Sequence, residues 1–412
     1  MDRLVAPLRT VFVVRDFRVL LVCNVLLGLT YSFVAPFLSM WGTREVGMSP
    51  LRFGVFMTIT SAAAIAVSTW LARWSDTRYS RKAMLVIGGA SGVLGYIGYA
   101  FVRDFAALTL IGSVLLGFSS ITFSQLFACV RDVVTASGLV APNDLPLYVN
   151  VFRLFFALSW TVGPALAAWV MQLYSFEGTF LVAALCFLLF TVFVQFWVRS
   201  VPPTEAMRVA ARALPLRVAL LRPVVLAHFV GFALFFSCST MGMMNLPLLI
   251  LETLGGVERQ VGLAYTVAPV FELPFMFYLG LLATRIDHSR LIRGSLVLAV
   301  VYYALLAAVE APWQVYCLQV LSAAIVAVTS GVAITFFQNF LPEQAGTATN
   351  LYSNATRIGA TGGYLLFGVL AAEGGHRAVF VTCAAFSALA LCLLVAFRPS
   401  RLGRIKQDTV AA

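Results

Sequence analysis

Two copies of one short pattern carry the chain's strongest chemical signal. Tyr148, Asn150 and Arg153 stand at Y-x-N-x-x-R spacing, and Tyr352, Asn354 and Arg357 repeat it in the second half. Each copy opens a long apolar stretch, and each follows a glutamine near the end of the stretch before it, Gln125 and Gln338. Residues i and i+3 share a helix face, so each Asn–Arg pair projects donors from one side. A guanidinium inside a hydrocarbon-length segment is costly and belongs against protein or a water-filled cavity. Two of them, one per half, predict two bundles that meet at a polar centre.

The acids point to the same place. Of the 17 Asp and Glu, only Glu272 lies well inside an apolar stretch. A carboxylate at mid-depth costs roughly 2.5–3.5 kcal/mol on insertion scales. Loss of water disfavours its charged form and a neighbouring guanidinium favours it, so a group held between the two can change protonation as its surroundings move. Glu272 is therefore the candidate proton-coupling residue. The competing reading is a permanent ion pair, or a carboxylate bonded to backbone freed by Pro269 and Pro274.

These residues need long helices to hold them. Of the 412 residues, 61% are hydrophobic and 11% charged, with a mean hydropathy of +0.94. A soluble protein could not cover that much apolar surface, so the fold class is an all-α membrane protein. Twelve segments approach or exceed the ~20 residues a spanning helix needs: 18–41, 53–73, 83–102, 106–129, 147–172, 177–198, 223–250, 260–282, 292–310, 313–337, 347–372 and 376–397. The net charge of +11 is not a nucleic-acid signal. Most Lys and Arg fall in alternate loops and at both ends, the positive-inside bias, which puts both termini in the cytoplasm. The seven cysteines lack C-x-x-C spacing and read as small apolar filler. No cleavable signal peptide is expected, because the first apolar run is too long.

The pattern divides the chain into residues 1–198, a linker at 199–222 carrying Pro202-Pro203 and several Arg, and residues 223–412. Pro36 and Pro247 recur near the same end of the first and seventh segments. Asp76, with Arg81 after it, recurs more weakly as Asp287 in the matching loop. Such an Asp can cap a neighbouring helix and pair with Arg131, so Asp76, Arg81, Arg131 and Asp287 are expected to gate one face.

The Asp76 loop is similar to the loop motif of the major facilitator superfamily, with Asp76, Arg81 and Lys82 matching and Ala72, Thr77 and Tyr79 departing from it. Gly163-Pro164 resembles a stretch of that superfamily's antiporters. The ensemble of Gln125, Arg153, Trp160, Glu272 and the run from Phe337 to Gly359 resembles the bacterial sugar efflux transporter family. The resemblance implies twelve transmembrane helices in two six-helix bundles related by a pseudo-twofold axis. It also implies a monomer in the bacterial inner membrane that exports sugars or glycosides by alternating access in exchange for protons. No cofactor or metal is expected.

A sugar needs amide and guanidinium partners for its hydroxyls and an aromatic face for its C–H surface. The candidates are Asn24, Gln125, Arg153, Asn245, Glu272, Gln338, Asn354 and Arg357, with Tyr31, Trp160, Tyr265 and Tyr352 as platforms. A multidrug antiporter, or a sugar uptake symporter using the same residues, stays open. A polytopic enzyme would want a His/Asp pair or clustered acids at a membrane face, which the sequence lacks.

Overall fold

The computed structural model describes residues 15–75, 80–137, 145–199, 220–283, 285–340 and 345–397, and every element among them is helical. The first bundle comprises α1 (Arg15–Val34), α2 (Pro50–Ser75), α3 (Arg81–Phe101), the broken helix α4 (Phe105–Ile111) and α5 (Ile121–Ala136), and α6 (Leu145–Trp197). The second comprises α7 (Pro223–Leu248), α8 (Glu258–Ala283), α9 (His288–Ala308), the broken helix α10 (Pro312–Gly331) and α11 (Ala333–Phe340), and α12 (Ala345–Ala396). Nine helical stretches among the described residues are long and apolar enough to cross a membrane. Two of these, 47 and 50 residues long, suffice for two crossings each. They turn back at Ser175 (φ 55°) and Gly375 (φ 72°). With α8, which carries Glu272 and two prolines, the described chain makes twelve crossings.

The duplication is visible in the backbone. The first crossing ends in a π-helical turn, Trp41–Glu45, closed by Gly47 at φ 74°; the seventh ends in Leu249–Thr253, closed by Gly255 at φ 64°. A left-handed residue just past a helix lets the chain turn sharply, and glycine adopts it without a Cβ clash.

The bundles touch along two matched seams: the second crossing against the eleventh, and the eighth against the fifth. On the first seam, a Cβ added at Gly54 would lie 2.7 Å from the Tyr364 carbonyl and 2.8 Å from Gly368 Cα. On the second, a Cβ at Gly262 would lie 3.0 Å from the Pro164 carbonyl and 2.7 Å from Ala168 Cβ. Phe53 and Phe367, both fully buried, meet edge-to-face across the first seam at 6.2 Å. Such a pair contributes about 0.5–1.5 kcal/mol beyond its buried area. All of these contacts lie toward the end opposite the chain termini, called the far end below. The side facing lipid is apolar: Leu154, Leu158, Val162, Leu166 and Trp169 form an exposed stripe on the fifth crossing.

Candidate functional site

The polar centre is built where a helix breaks. The tenth crossing is interrupted at Val332, between α10 and α11, and carbonyls in the last turn of a helix lack intrahelical partners. Two of the predicted residues take them. Tyr352 donates its hydroxyl to the Thr329 carbonyl at 3.1 Å, and Arg153 donates from Nη1 to the Ser330 carbonyl at 3.3 Å. Arg153 belongs to the first bundle and Ser330 to the second, so this contact crosses the interface. The Arg153 charge also acts on both Glu272 and Tyr352. Glu272 is half-buried near the middle of α8, and among the described residues it has no hydrogen bond and no ion pair within 4 Å. The permanent ion pair considered above is thus not what the structure holds. Beside Tyr352 stands an aromatic wall, with Phe236 at 5.6 Å, Phe337 at 6.1 Å and Phe232 at 6.4 Å between ring centroids.

Arg357 crosses the interface in the opposite sense. Its Nη1 donates to Ser68 Oγ at 2.9 Å, and one turn on, Thr361 and Ser61 pair their hydroxyls at 2.9 Å. The two arginines therefore each reach into the other bundle, but at different seams. Asn354 bonds its own helix, donating to the Asn350 carbonyl at 2.8 Å. In the first copy, Tyr148 is buried against Phe17, and the Asn150 side chain lies outside what is described.

The sequence profile of the Major Facilitator Superfamily matches residues 20–256 and 229–410, which is nearly the whole chain. The chain belongs to the Major Facilitator Superfamily. Within it, a sugar efflux transporter of Deinococcus radiodurans is 37% identical over 372 residues, covering 88% of this chain and 92% of the relative. Sugar efflux transporter A of Dickeya chrysanthemi is 30% identical, covering 90% and 93%, and that of Escherichia coli is 28% identical, covering 89% and 92%. These place the chain in the sugar efflux transporter family. A crystal structure of a variant of the nucleoside transporter NupG superposes with a TM-score of 0.76 at 16% identity, over 92% of this chain and all of that one. At that identity the likeness speaks for the fold.

Other residues predicted for the site of this superfamily member serve helix packing. Asn24 is fully buried and donates to the Phe152 carbonyl at 2.6 Å, tying the first crossing to the fifth; it does not face a cavity. Tyr265 donates to the Met243 carbonyl at 2.5 Å. Met243 lies four residues before Pro247, whose missing N–H leaves that carbonyl unpaired, so the tyrosine replaces the lost helix bond. Asn245 is fully buried and paired with His376. Gln338 donates to Thr349 Oγ1 at 3.3 Å. Tyr31 packs on Phe156 and Phe187, and Trp160 is half-buried two turns beyond Arg153.

The gating group is also rearranged. Asp76 lies outside the described residues. Arg131 is exposed, and its neighbour Asp132 does the pairing instead: Arg81 Nε lies 2.5 Å from Asp132 Oδ2, and Arg81 Nη1 donates to Gln125 at 3.3 Å. This cluster staples the third crossing to the fourth within one bundle, with Gln125 as one of its acceptors. Asp287 occupies the N-cap position of α9, exposed and without a capping side-chain bond. Asp132 was detectable in the sequence, since it lies seven residues from Gln125 and thus on the same helix face.

Proposed function

We propose that the chain exports sugars or small glycosides from the bacterial cytoplasm by alternating access, with protons moving in the opposite direction. The relatives named for sugar efflux support the substrate class. The Arg153 guanidinium beside the Tyr352–Phe236 wall supports it chemically, pairing hydroxyl-binding donors with an apolar face. The observation that carries the coupling is Glu272: an interior carboxylate with no bond of its own among the described residues, within the field of Arg153. Protonated, it leaves Arg153 free to bind sugar hydroxyls; ionised, it competes for the same guanidinium. Rocking of the bundles about the two glycine seams would expose this centre to each side in turn. Both termini face the cytoplasm, the far end faces outward, and the protein acts as a monomer. Residues 1–198 and 223–412 move as the two units, joined by the linker at 199–222. The Arg153 guanidinium and the Tyr352 hydroxyl at the centre favour sugars over the lipophilic cations a multidrug antiporter takes.

Counterflow in proteoliposomes with labelled sugars and one lipophilic cation tests the reading. Accumulation of a sugar but not the cation is expected. Accumulation of the cation alone refutes it.

A further inference from the structure

At the far end, a chain of polar contacts runs from the start of the twelfth crossing to the opposite bundle. His376 follows the turn at Gly375, and its main-chain carbonyl accepts from Asn245 Nδ2 at 2.8 Å. That bond fixes the amide, because a carbonyl oxygen can only accept; Asn245 Oδ1 is then the atom that faces His376 Nδ1 at 2.7 Å. The second ring nitrogen, Nε2, lies 3.0 Å from Glu252 Oε2. Both ring nitrogens therefore face acceptors. A neutral imidazole carries one N–H and satisfies one of them, whereas the imidazolium donates to both. Glu252 in turn lies 3.8 Å from Arg44 Nε, and Arg44 Nη1 lies 3.9 Å from Glu258. Arg44 ends the first crossing, so these two contacts join the bundles.

We infer that His376 is a proton-binding site, filled when the far ends of the bundles are together, and that its proton holds Glu252 in place for Arg44. The inference rests on the rocking of the bundles proposed above, and neither on the sugar nor on Glu272. Loss of the proton leaves one N–H for two acceptors. Asn245 is fully buried, and turning a bare nitrogen toward its oxygen would bury two facing lone pairs, so the remaining N–H stays with Asn245. Glu252 is released, and the Arg44 clasp loosens. The far end thus opens more readily as the pH on that side rises.

Of the other charged groups at this end, Arg52 lies over the Phe105 ring, Asp104 caps the helix that follows it, and Arg259 is exposed. Arg377 donates to the Ala307 and Val309 carbonyls at the end of α9, each at 2.7 Å. Arg103 holds Glu45 at 3.1 Å and Glu177 at 3.6 Å within the first bundle, and Glu310 and Glu373 are exposed. Among the described residues Glu252 is the sole charged group in ion-pair contact with the His376 ring. Arg44 and Glu252 have side chains 40% and 41% exposed, which makes the clasp a weak one and the expected effect small.

The test replaces the seven native cysteines and uses Ser39→Cys as the single thiol, at a buried residue in the turn of the first crossing that packs on α7. Its reaction with a membrane-impermeant maleimide is normalised at each pH to a cysteine at the exposed Val257, which removes the thiol's own titration. The normalised rate should rise about threefold between about pH 6 and about pH 8. It should be flat in His376→Gln and in Glu252→Gln, the second of which keeps the ring in place. A flat profile in the parent, or an equal rise in both variants, overturns the assignment. Sugar counterflow on the same preparations shows separately whether the transport reading stands.

Discussion

Replacing Gly54 by alanine should drive the far ends of the bundles apart. The added Cβ would lie 2.7 Å from the Tyr364 carbonyl and 2.8 Å from Gly368 Cα. Carbon contacts are comfortable at about 3.5–4.0 Å, so close to an ångström must be found. Both opposing atoms are backbone, and no side chain can swing aside to make room. The strain of overpacking is typically about 1–3 kcal/mol. It falls only on the state in which this seam is closed, so the equilibrium should move by about 5- to 150-fold toward the state with the far end open. The assay is maleimide labelling of the cysteine at Ser39, which should speed up by a factor in that range. Gly294→Ala is the control, since a Cβ there meets nothing within 4 Å, and its labelling should match the parent. A folded Gly54→Ala protein that labels at the parent rate would refute the claim that this seam closes the far end.

Three further outcomes follow from the geometry. Tyr265→Phe leaves the Met243 carbonyl without a partner and should cost about 1–3 kcal/mol in unfolding equilibrium measured in detergent; in a Pro247→Ala background, where a backbone N–H returns, the loss should shrink below about 1 kcal/mol. Asp132→Asn strands the Arg81 charge in a largely buried pocket and should lower stability by about 2 kcal/mol, less than the full cost of breaking a wholly buried pair because Arg81 is 23% exposed on its side chain. Arg153→Lys keeps a positive charge near Glu272 but loses the planar fork, and should weaken sugar binding in counterflow at least about tenfold while proton coupling persists.

The helices were legible because hydrophobic length and charged loops answer to one requirement, satisfying backbone in lipid. The duplication was legible too: Pro36 and Pro247 mark the ends of crossings that close with matching π turns and glycines. Polar side chains were harder, because a residue's type does not say whether its partner is ligand or helix. Asn24 and Tyr265 found backbone carbonyls, one across a crossing and one freed by a proline, and those depend on contacts no local spacing reveals. Arg153 and Arg357 occupy equivalent places in the repeat yet bond different seams, since the break in the tenth crossing offers its carbonyls to one of them. His376 read as a residue near the end of a crossing, and its role at the far end emerges only once Glu252 and Asn245 are brought beside it.

The most direct test of the account is Glu272→Gln in proteoliposomes, with sugar movement followed both as counterflow and under an imposed proton gradient. Counterflow should persist while gradient-driven accumulation disappears. Full gradient-driven transport by this variant would contradict the assignment of the proton to Glu272.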